Sequence, residues 1–162
     1  MTKKSTRPAY AARPFLAAFL SAVVAGCGVN SSPVAVADED VLLTLDCYDP
    51  MYQLDAHGRV IKLKVTGLHL PVAIWAAVGR LAELRYLDAA HSTLTDEGLA
   101  QLNNLQELRS FGLGGTLVTD QGLVHLEKLP SLQAVWLSKG TVTVQGVEKL
   151  KKARPDMNVH FQ

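Results

Sequence analysis

The sequence predicts an α/β fold made by repetition. It is a solenoid of about four 24-residue units, each a short strand, a turn and a helix, with a parallel sheet on the concave side and helices on the convex side. Three observations predict it. Residues 84–107 (LRYLDAAHSTLTDEGLAQLNNLQE) and 108–131 (LRSFGLGGTLVTDQGLVHLEKLPS) are two copies of one 24-residue pattern. Within each copy the apolar spacing changes from alternation at the front to every third residue at the back. The pattern also continues, weakened, on both sides. Spaced leucines at a fixed period mark units that cover one another's apolar edges.

The front of each unit alternates as a half-buried strand does. Leu108, Phe111 and Leu113 share one side, as do Leu84 and Leu87 in the copy before. Small and polar residues follow, residues 112–119 in the second copy, and suit a turn. Thr119 and Asp120 then stand where a helix N-terminus needs oxygen acceptors, as do Thr95 and Asp96. Leu99, Leu102 and Leu105, matched by Leu123, Leu126 and Leu129, mark a helix face or a tighter helical turn. Gly98 and Gly122 fall inside that first turn, where glycine is costly unless close packing on a neighbour compensates. Downstream, Val135, Leu137, Gly146, Val147 and Leu150 keep the phase. Upstream, Leu63, Val65, Trp75, Val78 and Leu81 keep it without the Thr-Asp-x-Gly segment. Degenerate outer units are expected where one side meets water.

An L-x-x-L-x-L opening followed by T-D-x-G-L-x-x-L-x-x-L resembles the leucine-rich repeat, in its ribonuclease-inhibitor-like or F-box-associated form, and is similar to repeat proteins present in many copies in some bacteria. The resemblance covers residues 60–157, about three-fifths of the chain. It implies a scaffold for protein binding without fixing the partner. It also raises a substrate-adaptor role, although nothing ahead of the repeats reads as an F-box helical bundle.

The first 26 residues differ from the rest. Lys3, Lys4, Arg7 and Arg13 precede an apolar run over residues 15–25, and the segment holds no acid. Eleven residues fall short of the roughly 20 that cross a bilayer, which favours a secretory signal. Val24-Ala25-Gly26-Cys27 resembles the bacterial lipobox, implying cleavage before Cys27 and acylation of its thiol. An ordinary signal peptide cut elsewhere is the plainer alternative. Removing the four basic residues before Cys27 leaves 12 basic against 15 acidic, a net charge of −3. So mild an acidity argues against nucleic-acid partners. The basic residues Lys149, Lys151, Lys152 and Arg154 read as a solvated helix end.

Residues 27–37 read as a tether and residues 38–59 as an N-terminal cap; residues 60–162 hold the repeats and a C-terminal cap. Acids at 38–40 ahead of Val41, Leu42, Leu43 and Leu45 suit a helix start, with a strand the alternative. Residues 51–54 and 59–65 suit a hairpin about Asp55-Ala56-His57-Gly58. Cys47 is expected as a buried apolar thiol.

No cysteine or histidine spacing fits zinc, and no phosphate loop or nucleophile motif is present. The expectation is a non-catalytic protein without cofactor or metal, with Asp96, Glu97 and Asp120 in capping rather than acid–base roles. Strand alternation turns two columns outward on the concave face. One is Lys62, Tyr86, Ser110 and Ala134; the other is Lys64, Asp88, Gly112 and Trp136. Tyr86, Asp88, Arg109 and Trp136 are the partner-binding candidates, because exposed Tyr, Trp and Arg dominate binding hot spots. For Trp136 the alternative is packing over Gly112. The functional expectation is a membrane-tethered protein-binding module of the bacterial envelope, exported and anchored through Cys27, with an unidentified protein partner. The alternative is a structural, self-associating envelope protein.

Overall fold

The structure is a computed structural model that describes residues 37–162. The segment expected as a signal, Cys27 and the expected tether up to residue 36 lie outside the described residues. Helix α1 spans Ala37–Leu45. Val41 and Leu45, one turn apart on one face, are both fully buried, which resolves this run as helix. The Asp38 carboxylate accepts the Val60 N–H at 2.7 Å and so ties α1 to the first repeat strand.

A short 3-10 turn, Asp46–Tyr48, leads into β1, Met51–Leu54. It pairs antiparallel with β2, Val60–Lys64, and the register slips at Gln53/Leu54. The hairpin turn is built by Asp55, whose Oδ1 accepts the N–H groups of His57 and Arg59 at 2.8 and 2.9 Å. Gly58 supplies the left-handed residue, at φ 78°.

Strands β3 (Tyr86–Asp88), β4 (Ser110–Gly112), β5 (Ala134–Leu137) and β6 (Asn158–Phe161) add in sequence order to make one six-stranded sheet. From β2 onward every pairing is parallel and in register at a step of 24 residues: Lys62, Tyr86, Ser110, Ala134 and Asn158 stand side by side. Inward residues Leu63, Leu87, Phe111 and Val135 form the matching core row, each 2 % exposed or less. β6 was missed in the sequence reading, which ended the repeat near residue 157. It continues the same step, with Val159 beside Val135 and Phe161 beside Leu137.

Helices α2 (Val72–Val78), α3 (Asp96–Ala100), α4 (Leu123–Glu127) and α5 (Val144–Ala153) connect the strands. The α3 and α4 helices are only five residues long and continue as turns. Their leucines, spaced by three, are all buried, as tight turns require. Thr95 and Thr143 cap α3 and α5 by accepting the N–H groups of Gly98 and Gly146.

Asp96 and Asp120 behave differently from the capping expected of them. Each reaches into the following unit. Asp96 accepts the Thr119 N–H at 2.8 Å and the Thr119 hydroxyl at 2.6 Å. Asp120 repeats this with Thr143 at 2.8 and 2.6 Å. The glycines explain themselves here. A Cβ on Gly122 would lie 2.1 Å from Asp96 Oδ1, and one on Gly146 would lie 2.2 Å from Asp120 Oδ1. Glycine is present so that the previous unit's carboxylate can stand against the helix start. Hydrogen bonding by the Thr143 hydroxyl and N–H holds the Asp120 carboxyl below the usual aspartate range.

Two further expectations change. Cys47 is exposed, not buried, because α1 has already turned its apolar face to the core at Leu45 before the chain leaves it. Arg154 is not solvated: its side chain is 14 % exposed. It donates to the backbone carbonyls of Leu129 at 2.9 Å and Leu132 at 3.0 Å, and to the Asp156 carboxylate.

Candidate binding face

The strands expose the side opposite the core row, and sequence alternation decides what stands there. Residues alternate across the sheet plane, so register pairing converts the sequence columns into rows in space. One row is Gln53, Lys62, Tyr86, Ser110, Ala134 and Asn158; the other is Met51, Lys64, Asp88, Gly112, Trp136 and His160.

The middle of this face is low and its flanks are high. Ser110, Gly112, Gly114 and Ala90 contribute little bulk, and with Tyr86, Asp88, Lys62 and Trp136 they line an open groove of about 400 Å³. Tyr86 is 47 % exposed and Trp136 is 42 % exposed. Trp136 stacks on His160, with ring centroids 5.2 Å apart and planes 9° from parallel. One face of the indole is held by His160, on the side away from Gly112. This stack fixes the ring at little entropic cost to a later contact.

Asp88 and Lys64 face each other across β3 and β2 at 3.8 Å, both more than 40 % exposed on their side chains. So long and wet a pair contributes at most about 1 kcal/mol. Asp88 Oδ1 also accepts the Ala90 N–H at 3.2 Å. The same oxygen leans over β4, where a Cβ on Gly112 would lie 2.8 Å from it. The acid thus sits over the groove floor on the side facing Trp136.

Of the four candidates, Tyr86, Asp88 and Trp136 share this groove; Arg109 is exposed but does not line it. His160 was missed, although it stands one 24-residue step beyond Trp136. Among the described residues no cluster of His, Cys, Asp or Glu has the geometry to hold a metal ion. No helix of the described residues is long and apolar enough to cross a membrane.

No protein-family model matches the chain, and no curated protein matches it. Solved structures do. A leucine-rich-repeat protein of Leptospira interrogans matches with a TM-score of 0.47 and 21 % identity over 62 % of this chain. The chain spans 25 % of the length of that protein. Actin-binding site 2 of leiomodin-1 matches with a TM-score of 0.53 and 10 % identity, over 82 % of this chain and 81 % of that one. At these identities the likeness is one of fold. With the leucine spacing and the parallel 24-residue register, it shows an α/β fold of the leucine-rich-repeat type and no more than the fold.

Proposed function

We propose that this chain is a protein-binding module of a bacterial envelope: a four-unit leucine-rich-repeat solenoid, closed at the front by α1 and β1 as a cap. In this reading it is exported, is held to its membrane through acylated Cys27, and acts without catalysis or cofactor. The observation that carries the binding role is the groove. A face with two half-exposed aromatics, one of them pre-positioned by stacking, over a floor of small residues is costly to leave in water and suits a partner's side chain. Leiomodin-1 provides a precedent, since its related fold is named for binding a protein, actin. The lipobox-like Val24-Ala25-Gly26-Cys27 supports the anchor.

The test is capture from envelope extract by the chain and by a variant carrying Tyr86→Ala, Asp88→Ala and Trp136→Ala, with folding checked by circular dichroism. A partner retained by the first and lost by the second supports the concave face; equal capture by both removes it. Mass analysis of the membrane-bound form, with Cys27→Ser as control, tests the anchor. One observation favours a second reading, self-association. The edge strand β1 carries no charge in its Met51–Leu54 sequence and leaves Met51 69 % exposed and Tyr52 43 % exposed, so it lacks the charges and prolines that usually protect a sheet edge. Concentration-dependent oligomers on sizing, abolished by Tyr52→Lys, would favour it.

A further inference from the structure

The groove has a chemical preference that exposure alone does not give. Its two high walls are different. On the β5 side stands the indole of Trp136, with one face backed by His160. On the β3 side stands the carboxylate of Asp88, leaning over Gly112 toward it. Asp88, Gly112 and Trp136 occupy one register row, so acid and ring are two strand spacings apart, roughly 10 Å between backbones. The strand between them contributes no side chain at Gly112 and only a hydroxymethyl at Ser110. An aromatic face and an anion opposed across a gap attract a cation, and a flat cation satisfies both at once. Asp88 is held lightly, by the 3.8 Å contact to Lys64 and by the Ala90 N–H at 3.2 Å, and its side chain stays 42 % exposed.

We propose that this slot receives the guanidinium of an arginine side chain presented by the partner protein. The plane stacks on the free face of Trp136, continuing the His160–Trp136 stack, while its N–H groups donate to the Asp88 carboxylate. Ser110 and Tyr86 border the entry for the aliphatic stem. Lysine fits less well, because an ammonium group stacks on nothing and keeps a tighter hydration shell. The inference rests on the concave face being the binding surface, and narrows it to one anchor.

The chain carries its own internal control. Trp75 is 1 % exposed in the core, whereas Trp136 is half-exposed at the slot. The two indole N–H signals in a nitrogen-correlated NMR spectrum of the full chain therefore report separately. The probes are acetylated, amidated tripeptides Gly-Arg-Gly, Gly-Lys-Gly and Gly-Tyr-Gly, and N-acetylglucosamine as the neutral sugar that an aromatic platform also attracts. The expected result is a saturable shift of the Trp136 signal with the arginine peptide, no shift of Trp75, and at least about a tenfold weaker response to the others. Asp88→Asn should weaken arginine binding about tenfold, the scale of one charge-assisted hydrogen bond. Gly112→Ala should do the same by displacing the carboxylate, with the Trp75 signal unmoved to show that the fold persists. A response to the sugar or the tyrosine peptide equal to that to arginine, binding unaffected by Asp88→Asn, or no Trp136 shift at all would each overturn the proposal. The capture experiment separates the two claims: a partner still lost by the triple variant while the arginine peptide fails leaves the concave face standing without this anchor.

Discussion

The contact between Asp96 and Gly122 allows a prediction of sign as well as size. Gly122 has helical backbone angles, φ −66° and ψ −27°, so alanine is allowed there and by propensity alone would stabilise the helix by about 0.5–1 kcal/mol. The structure predicts the opposite. A Cβ would fall 2.1 Å from Asp96 Oδ1 and force the carboxylate off the Thr119 N–H and hydroxyl. Hydrogen bonds to a charged group contribute about 1.5–3 kcal/mol each, and at this half-buried site the lower end applies to the pair together, about 2–3 kcal/mol. After the propensity gain, Gly122→Ala should cost about 1–2 kcal/mol. Asp96→Ala should cost about 2–3 kcal/mol, since it leaves the Thr119 N–H without its acceptor. In the Asp96→Ala background the obstacle is gone, and the nearest atom that stays is Val118 Cγ1, at 3.0 Å from the new Cβ. Gly122→Ala should then be neutral or slightly stabilising. The two changes are therefore non-additive by about 2 kcal/mol, readable from urea midpoints of the four proteins in the cycle. Additivity within about 0.5 kcal/mol would refute the account of why glycine stands there.

Other outcomes follow from the same geometry. Acid should weaken the fold between about pH 4 and pH 2. The Arg59 N–H, then the Arg59 side chain and the His57 N–H, pull the Asp55 carboxyl from its ordinary 3.8 to about 2. Asp120 is lowered too, by the Thr143 hydroxyl and N–H. A carboxyl with a depressed folded-state pKa contributes stability above its unfolded value, lost as pH falls through the folded one, so Asp55→Asn with Asp120→Asn should flatten the acid limb of a midpoint-versus-pH curve. Phe111→Ala removes a fully buried ring and should cost about 3–5 kcal/mol in the same assay, against about 1 kcal/mol for Trp136→Ala at the surface. Arg154→Ala should cost about 1–3 kcal/mol by stranding the Leu129 and Leu132 carbonyls, with Arg154→Lys failing to restore it because one ammonium cannot span both carbonyls and Asp156. His91 is left-handed at φ 57°, at the position that Gly67 and Gly115 hold in neighbouring units, so His91→Gly should leave stability unchanged or raise it by up to about 1 kcal/mol.

What the sequence made legible was whatever repeats. The 24-residue step places the parallel strands, the outward rows and the buried leucines, because a repeated segment turns one register into every register. The hairpin was legible from Asp55 to Gly58, where turn chemistry is local. What escaped was contact between units. The Asp-to-Thr bridges join residues 23 apart, and a motif seen as Thr-Asp-x-Gly in one line of sequence looks like a cap for its own helix. β6 escaped because Met157 and Val159 lack the leucine signature, although the alternation runs on. Arg154 escaped because a basic helix end is usually wet, and only the fold shows carbonyls from the previous unit waiting beneath it.

The groove belongs to a different category from both. Repetition alone would make every outward position alike, and a repeated surface has no preferred place to bind. The slot exists because one row breaks its own pattern: Lys64, Asp88, Gly112, Trp136 and His160 change from cation to anion, to nothing, to two stacked rings across five strands. No core demand sets these residues, since they face away from the Leu63, Leu87, Phe111 and Val135 row. The core row varies only among apolar residues because burial constrains it. Where position is fixed by the repeat and chemistry is free of the fold, a steep change in side-chain character along the row is the feature that binding can use. On that argument Arg109 should matter less than the other three candidates, since it stands outside the groove. Arg109→Ala should leave partner capture within about threefold of the unaltered chain while Trp136→Ala reduces it by tenfold or more, the scale of losing a buried aromatic anchor. Equal losses would place the interface on the flank and detach it from the slot.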